Sequence, residues 1–395
     1  MRLFIEPTEP LLFRTARPFD AGENNLAESI FPPTPETLQG TIRAALATHW
    51  NTAKTLEENF ADPALTDLIG DRNGYGRFRL TNITLARRKR DEAQSGNGTG
   101  AIEYLYPMPS IILLEEENVE HQARLIPRPR PPAIHTNLSD EKYLLYQNHE
   151  LEGKPTTRKY WLTRRGLWKA LLTEEDIATE DMVSASTIYT TEPRLGIGMN
   201  NATKTTKEGF LYQVHMIRMN HLMDHDYTYG FVVDIRIAQK ASGAATTQEP
   251  LIDDRQTQEM LRLDNDGWLT LGGERRAARF EVIKSPEAEE QAGSGLSAKG
   301  NMLYLLTPAA FDRGWQPASW AKWAEPVAVA MERYQSIGGW LLNPENAGGR
   351  NKPQRRCVPA GSVYFFEETV TASIPFTDYG KEIGYGIAFA GEWKQ

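Results

Sequence analysis

Arginines and lysines that stand beside glycines and polar residues are the side chains most suited to chemistry in this sequence. They occur in five short segments. In the first, Arg14, Arg17 and Arg43 surround a predicted helix start at Pro35. Unpaired backbone amides at a helix start, with arginines nearby, suit a phosphate group. The alternative is a surface loop whose arginines pair with neighbouring glutamates.

Residues 192–212 (EPRLGIGMNNATKTTKEGFLY) predict a β-hairpin that projects a polar, basic tip. Its chemistry-bearing residues are Arg194, Asn200, Lys204 and Lys207. Such a tip suits sugar and phosphate oxygens, and Met199 suits contact with a base. An ordinary solvated hairpin is the alternative.

Two further basic segments lie in the C-terminal half. In residues 271–279 (LGGERRAAR), two glycines that let the backbone approach a ligand precede Arg275 and Arg276. A structural turn with exposed arginines is the competing interpretation. The densest cluster of this half comprises Arg350, Lys352, Arg355 and Arg356. Because the chain as a whole is acidic, this local concentration of cations indicates an anionic partner.

The fifth segment, residues 384–391 (GYGIAFAG), is rich in glycine. Gly384 and Gly386 permit unusual backbone angles, and Tyr385 is suited to stacking on a base. The segment does not fit the dinucleotide-binding fingerprint, because the residues after it predict a strand.

Few residues indicate catalysis. The spacing of His221 and His225 suits a metal on one helical face, but the residues before them predict a strand and no HExxH pattern is present. Neither a GxSxG turn nor a Walker-type phosphate loop occurs. We therefore expect no catalytic residue, no metal and no cofactor.

The elements that position these segments are mostly short strands. The 395 residues, 40% hydrophobic and 10% aromatic, suffice for two packed domains. A helix is predicted over residues 35–50, with Thr34 as its cap, and a second over 164–172. Gly40 inside the first helix favours a close backbone approach. The predicted strands cover residues 78–85, 111–115, 210–219, 229–237, 268–271, 277–283, 302–306, 327–335, 362–367 and 386–392.

Composition limits the classes of protein and the cellular compartments that are compatible with this sequence. A net charge of −8 argues against a generally basic surface, so any nucleic acid must bind along a local stripe. The sequence has no apolar run long enough to cross a membrane and begins like a strand rather than a signal peptide. The single Cys357 excludes an internal disulfide framework, which favours a cytoplasmic setting.

Taken together, the segments resemble the RAMP superfamily of CRISPR proteins, and in particular the family of the third subunit of the Cmr (type III-B) effector complex. The matching stretches are PLLFRTARPFDAG, IFPPTPETLQGTIRAAL, EPRLGIGMNNATKTTKEGFLY, LGGERRAARF, GGW…KPQRRCVPAGSVYFFEE and GYGIAFAGEW. They follow the family's order and span nearly the whole chain. The loops at 87–100 and 285–300 depart from the family pattern, so contacts there are not carried over.

The resemblance implies an α+β fold of two ferredoxin-like (RRM-like) domains, residues 1–236 with an inserted projecting β-hairpin and residues 237–395 with a C-terminal glycine-rich loop. It also implies a non-catalytic subunit that holds the 5′ tag of the CRISPR RNA. Its partners would be the large polymerase-like (cyclase-like) Cmr subunit, the first backbone RAMP subunit and, indirectly, the target RNA. The RNA-contacting positions would be Arg14, Arg17, Arg43, Arg194, Asn200, Lys204, Lys207, Arg275, Arg276, Lys352, Arg355, Arg356, Gly384 and Gly386.

Two other functions compete with this one. An RNA-processing endoribonuclease of the same superfamily would use acid–base chemistry, and His49 is the histidine nearest the first segment. A carbohydrate- or metabolite-active enzyme is suggested by Trp315, Trp320 and Trp323, although such tryptophans more often pack in a core.

Overall fold

The computed structural model describes residues 1–15, 26–71, 74–90, 100–135, 142–156, 160–219, 226–240, 250–283, 298–320, 323–343, 348–372 and 374–394. Arg17, His221 and His225 lie outside the described residues, as does most of each predicted inserted loop. Within the described part, short strands dominate, form several sheets and are joined by a few helices. The α+β class is therefore confirmed.

The helices are α1 Pro35–Trp50, α2 Leu56–Phe60, α3 Pro63–Ile69, α4 Arg164–Leu172, α5 Ala185–Ile188 and α6 Asp254–Leu261. The strands of the first half are β1 Arg2–Pro7, β2 Leu26–Ala27, β3 Phe78–Lys89, β4 Ile102–Pro107, β5 Ile112–Glu115, β6 Gln122–Arg128, β7 Leu144–Gln147, β8 Pro155–Thr156, β9 Tyr160–Leu162, β10 Met182–Ser184 and β11 Tyr189–Met199. Those of the second half are β12 Thr206–Met219, β13 Tyr227–Ile237, β14 Asp266–Leu271, β15 Arg276–Ile283, β16 Lys299–Leu305, β17 Ala328–Ala330, β18 Gln335–Ile337, β19 Trp340–Asn343, β20 Gly348–Asn351, β21 Arg355–Cys357, β22 Val363–Thr371 and β23 Ala388–Gly391.

Both predicted helices are confirmed, and each begins at a threonine cap. The Thr34 side chain accepts a hydrogen bond from the Thr37 N–H at 3.3 Å, and Thr163 accepts one from the Gly166 N–H at 3.2 Å. These bonds satisfy amides that the helices themselves leave unpaired. The expected close approach at Gly40 is wrong, because this glycine is exposed and no atom lies within 4 Å of where its Cβ would stand.

The largest sheet has eight strands in the order β10-β9-β4-β3-β13-β1-β15-β14. Strand β1 lies between β13 and β15 and pairs antiparallel with both. One face of this sheet packs against the apolar side of α1, whose Leu38, Ile42 and Leu46 belong to the same hydrophobic core as sheet residues such as Ile5 and Val233. The domain boundary near Arg236 stays a prediction, and strands on both sides of it belong to this sheet.

A second, four-stranded sheet forms the C-terminal core in the order β17-β22-β16-β23. Its aromatic residues pack densely; the rings of Trp323 and Tyr364, for example, both contact Phe376 edge-on. The strand predicted over 327–335 is wrong in extent, since the structure breaks it into β17 and β18. In the part of the chain that the structure describes, no helix is both long and apolar enough to cross a membrane.

Candidate nucleic-acid interface

The residues that follow β1 bring three of the five predicted segments together: the first segment, the hairpin and the glycine–arginine turn. Leu11 exchanges both backbone hydrogen bonds with Ile217 of β12, at 2.7 and 2.8 Å. The next residue, Leu12, accepts a hydrogen bond at 2.8 Å from the Gly273 N–H of the glycine–arginine turn. Arg14 is exposed two residues further on. The fold thus brings Arg14, the hairpin base and the turn between β14 and β15 together.

The turn between β14 and β15 requires an unusual backbone. Gly272 has φ +75°, and a Cβ there would lie 2.7 Å from the Leu12 carbonyl oxygen, which only glycine avoids. Glu274 and Arg275 also adopt positive φ, at 59° and 52°. Arg275 is exposed, whereas Arg276 is partly buried and forms an ion pair with Glu274. Of the two predicted contacts, Arg275 is therefore the more accessible.

The predicted hairpin corresponds to β11 and β12, which pair antiparallel over their length. At its tip, the Asn200 side-chain oxygen accepts hydrogen bonds from the N–H groups of Ala202 and Thr203, at 3.0 and 3.4 Å. Lys204 takes a left-handed conformation, with φ 57°. Asn200 therefore organises the turn, and Lys204 and Lys207 are exposed around it.

Nearer the base of the hairpin, one carboxylate holds two arginines. Glu192 accepts hydrogen bonds from Arg218 at 2.5 Å and from Arg194 at 2.7 Å. These bonds lower the pKa of Glu192, so the carboxylate is charged at neutral pH. Arg194 consequently has a protein partner, with which a phosphate would compete.

The opposite face of the hairpin is apolar and exposed. The exposed fractions are 76% for Leu195, 51% for Ile197, 43% for Met199 and 54% for Leu211. Ile197 and Leu211 are direct cross-strand partners, so these side chains form one stripe. Sequence reasoning named only Met199 of this stripe. The alternation of apolar residues with glycine in LGIGM was the signal that would have identified the others.

The fourth segment places its cations on both faces of β21. The Arg355 guanidinium lies over the Tyr379 ring, 3.7 Å from its centroid, and the Tyr75 hydroxyl donates to that of Tyr379 at 3.1 Å. Arg356 lies on the other face of the strand, where it is exposed, as is Lys352. The guanidinium of Arg356 lies over a ring as well, 5.0 Å from the centroid of Tyr334, so both arginines of β21 contact tyrosines and their binding of an anion stays a prediction.

The start of α1 adjoins this cluster but already holds a carboxyl group. Glu36 lies in the first turn, and the Tyr385 hydroxyl donates a hydrogen bond to it. Burial raises the pKa of Glu36, and the positive charges of Lys352 and Arg355 act in the opposite direction. The Tyr385 ring is fully buried, so the prediction that it stacks on a base is wrong.

Arg43 faces away from the start of α1. Its guanidinium donates to the carbonyls of Gly70 and Asp71, at 3.0 and 3.4 Å, beyond the end of α3. Burial lowers the pKa of Arg43. The side chain thus closes the end of a helix in this structure, and its contact with RNA stays a prediction.

The C-terminal glycines have the unusual backbone that the sequence predicts, with φ 95° at Gly384 and 68° at Gly386. Both are buried, and a Cβ on Gly384 would lie 2.7 Å from Ile83. The Gly386 N–H donates to Pro308 at 2.9 Å, and its carbonyl accepts from Phe376 at 2.7 Å. The glycines therefore permit tight packing, and their contact with RNA stays a prediction.

Across the described ranges, no three His, Cys, Asp or Glu side chains are grouped so that they would hold a metal ion. Cys357 is buried, which raises its pKa to about 12. A thiol with so high a pKa is protonated at neutral pH and is a poor nucleophile.

A family model described as CRISPR-associated protein (Cas_Cmr3) matches residues 3–393. The chain belongs to the Cas_Cmr3 family. This membership confirms the resemblance on which the sequence predictions rested. No curated protein matches the chain.

Solved structures similar to this Cas_Cmr3 chain include two cryo-EM structures. One is of type III-B Cmr-beta bound to cognate target RNA and AMPPnP, and its matching chain has 17% identity and a TM-score of 0.45. The other is of type III-B Cmr-beta bound to cognate target RNA, with 16% identity and a TM-score of 0.46. Each match covers 92% of this chain and 86% of the other.

Proposed function

We propose that this Cas_Cmr3 chain is a non-catalytic, RNA-binding subunit of a type III-B CRISPR effector, which caps the 5′ repeat-derived tag of the CRISPR RNA in antiviral defence. The observation that carries the proposal is the group of cations on β21 and just before it, in a chain whose net charge is −8. Arginines and lysines there supply phosphate affinity, and single-stranded bases supply the sequence information.

The proposal assigns the remaining segments to one RNA path. Arg14 and Arg275 contribute further phosphate contacts where the first three segments meet. The hairpin lies at the junction between tag and guide, where its apolar stripe contacts a displaced base. Ferredoxin-like domains carry these elements. The partners are the large polymerase-like subunit and the first backbone RAMP subunit, in the cytoplasm.

The test is binding of the purified protein to a short RNA that carries the neighbouring repeat's tag, against a scrambled RNA, over a series of salt concentrations. Each phosphate contact on a single strand contributes about 0.7 to the slope of log affinity against log salt. The double variant Arg355→Ala/Arg356→Ala should therefore lose about 1.4 of that slope, and thermal denaturation checks that the variant is folded.

The matched control removes two charges elsewhere, in Arg255→Ala/Lys394→Ala, whose side chains are 89% and 84% exposed. This control should bind like wild type. If both double variants lost the same amount of the salt slope, the loss would follow from the change in net charge and not from the position of Arg355 and Arg356. Absence of tag binding, even with the large subunit added, would contradict the proposed function.

Electrophoresis of the RNA after the binding reaction tests the alternative function, an endoribonuclease. In the structure His49 lies in the last turn of α1. At a rise of about 1.5 Å per residue, it is about 21 Å along the helix axis from Pro35. It is thus at the far end of α1 from the cations near Glu36. We expect intact RNA after incubation. A single cut that His49→Ala abolishes would favour the enzyme instead.

A further inference from the structure

Strands β18 and β21 pair to form a two-stranded ribbon, called the β18–β21 ribbon below. Its two faces differ. In its register Ser336 is opposite Arg356, and Ile337 is opposite Arg355. Because side chains alternate along a strand, Arg355 and Arg356 point to opposite faces. The face of Arg355 is turned inward, since Ile337 is 3% exposed. The face of Arg356 is turned to the surface.

Tyr334 lies on the outer face of the ribbon. It immediately precedes β18, and the contact between its ring and the Arg356 guanidinium places the two side chains on the same face. Tyr334 is 42% exposed, and the Arg356 guanidinium carbon lies 5.0 Å from the centroid of its ring. Arg333 lies 5.8 Å from the same centroid. The guanidinium groups of two exposed arginines thus lie over one exposed aromatic ring, and they offer planar groups next to it.

This combination matches what an unpaired nucleotide needs. A base stacks on an aromatic ring or on a guanidinium plane, and the adjacent phosphate pairs with a cation. A double-stranded helix is disfavoured, because its stacked bases present no free face.

We infer that Tyr334 and Arg356 form a stacking site for one unpaired base of single-stranded RNA. The inference rests on the proposed function and names, in Tyr334, a contact that no matching family motif contains. The tyrosine supplies the π face, and Arg333 and Arg356 supply the charge for the flanking phosphates.

The site is tested with tag RNAs in which each nucleotide in turn is replaced by 2-aminopurine, whose fluorescence is quenched on stacking. The full-length protein should quench one position more than the others. Tyr334→Leu should restore the fluorescence at that position and weaken binding about tenfold, whereas Tyr334→Phe, which keeps the ring, should behave as wild type. The salt slope should stay unchanged in both variants, because no charge is removed.

Phe60→Leu is the matched control, since Phe60 is an aromatic residue of similar exposure, 38%, in the acidic helix α2. It should alter neither quenching nor affinity. If the tag binds and Arg355→Ala/Arg356→Ala reduces the slope, but Tyr334→Leu quenches like wild type, the stacking site is wrong and the proposed function stands. If no tag RNA binds at all, both fail.

Discussion

Glu36 lies at the centre of a small network between α1 and the C-terminal part of the chain. Its carboxyl group accepts a hydrogen bond from Tyr385, and Lys352 and Arg355 are near enough to act on its charge. Burial still dominates and raises the pKa of Glu36. Because the buried carboxyl group has lost its water, its ionisation costs more free energy in the folded state than in the unfolded state. Ionisation of Glu36 therefore makes the folded state less stable.

The variant Glu36→Gln should change how stability depends on pH. Because the pKa is raised in the folded state, Glu36 stabilises the protein fully below its ordinary pKa of 4.5 and loses this contribution as pH rises through the folded-state value. The free energy of unfolding of Glu36→Gln relative to wild type should therefore increase from pH 4.5 upward and then level off. Urea denaturation across pH 4.5 to 8 measures it, with the exposed Glu174→Gln as control. A difference in the free energy of unfolding that stays constant with pH would contradict the conclusion that burial raises the pKa of Glu36.

At the scale of elements, α1 is well capped but carries an avoidable weakness in Gly40. Glycine inside a helix costs about 1 kcal/mol relative to alanine, mainly through backbone entropy. Since no atom lies within 4 Å of the missing Cβ, Gly40→Ala should stabilise the protein by about 1 kcal/mol. Thermal denaturation measures the change. Destabilisation instead would mean that this surface of α1 is covered in solution.

What the sequence predicts well at this scale is local. Both helices were located because caps such as Thr34, the proline at N1 and the apolar period all act within a few residues. The cation-rich segments were equally visible. Whether a side chain faces solvent depends on distant partners, however, so the sequence predicts a base-stacking role for Tyr385 although its ring is buried. Likewise, Arg43 has its carbonyl partners just beyond the end of α3, which helical spacing does not reveal.

At the scale of the whole molecule, the eight-stranded sheet joins the two predicted domains. Phe280 and Leu269, on β15 and β14, belong to the same hydrophobic core as Ile5 and Phe231. A chain cut after residue 236 would expose this core and leave β1 as an open sheet edge. The two halves are thus joined by more than a linker.

Residues 1–236 expressed alone should therefore show no cooperative thermal transition, whereas the full chain should. The measurement is circular dichroism during heating, with co-expression of residues 237–395 as the control that should restore the transition. Cooperative unfolding of the isolated first part would support a domain boundary near residue 236 and show that β14 and β15 are dispensable for its core.

The position of β1 between β13 and β15 also bears on how the chain matures during synthesis. Arg2 pairs with Asp234 on one side and with Ile283 on the other, so the strand emerges long before either neighbour exists. At about 5 to 20 residues per second, a ribosome leaves β1 without its second partner for on the order of tens of seconds. During that interval the nascent chain carries an unpaired apolar strand, and cellular yield will depend on what shields it until residue 283 is made.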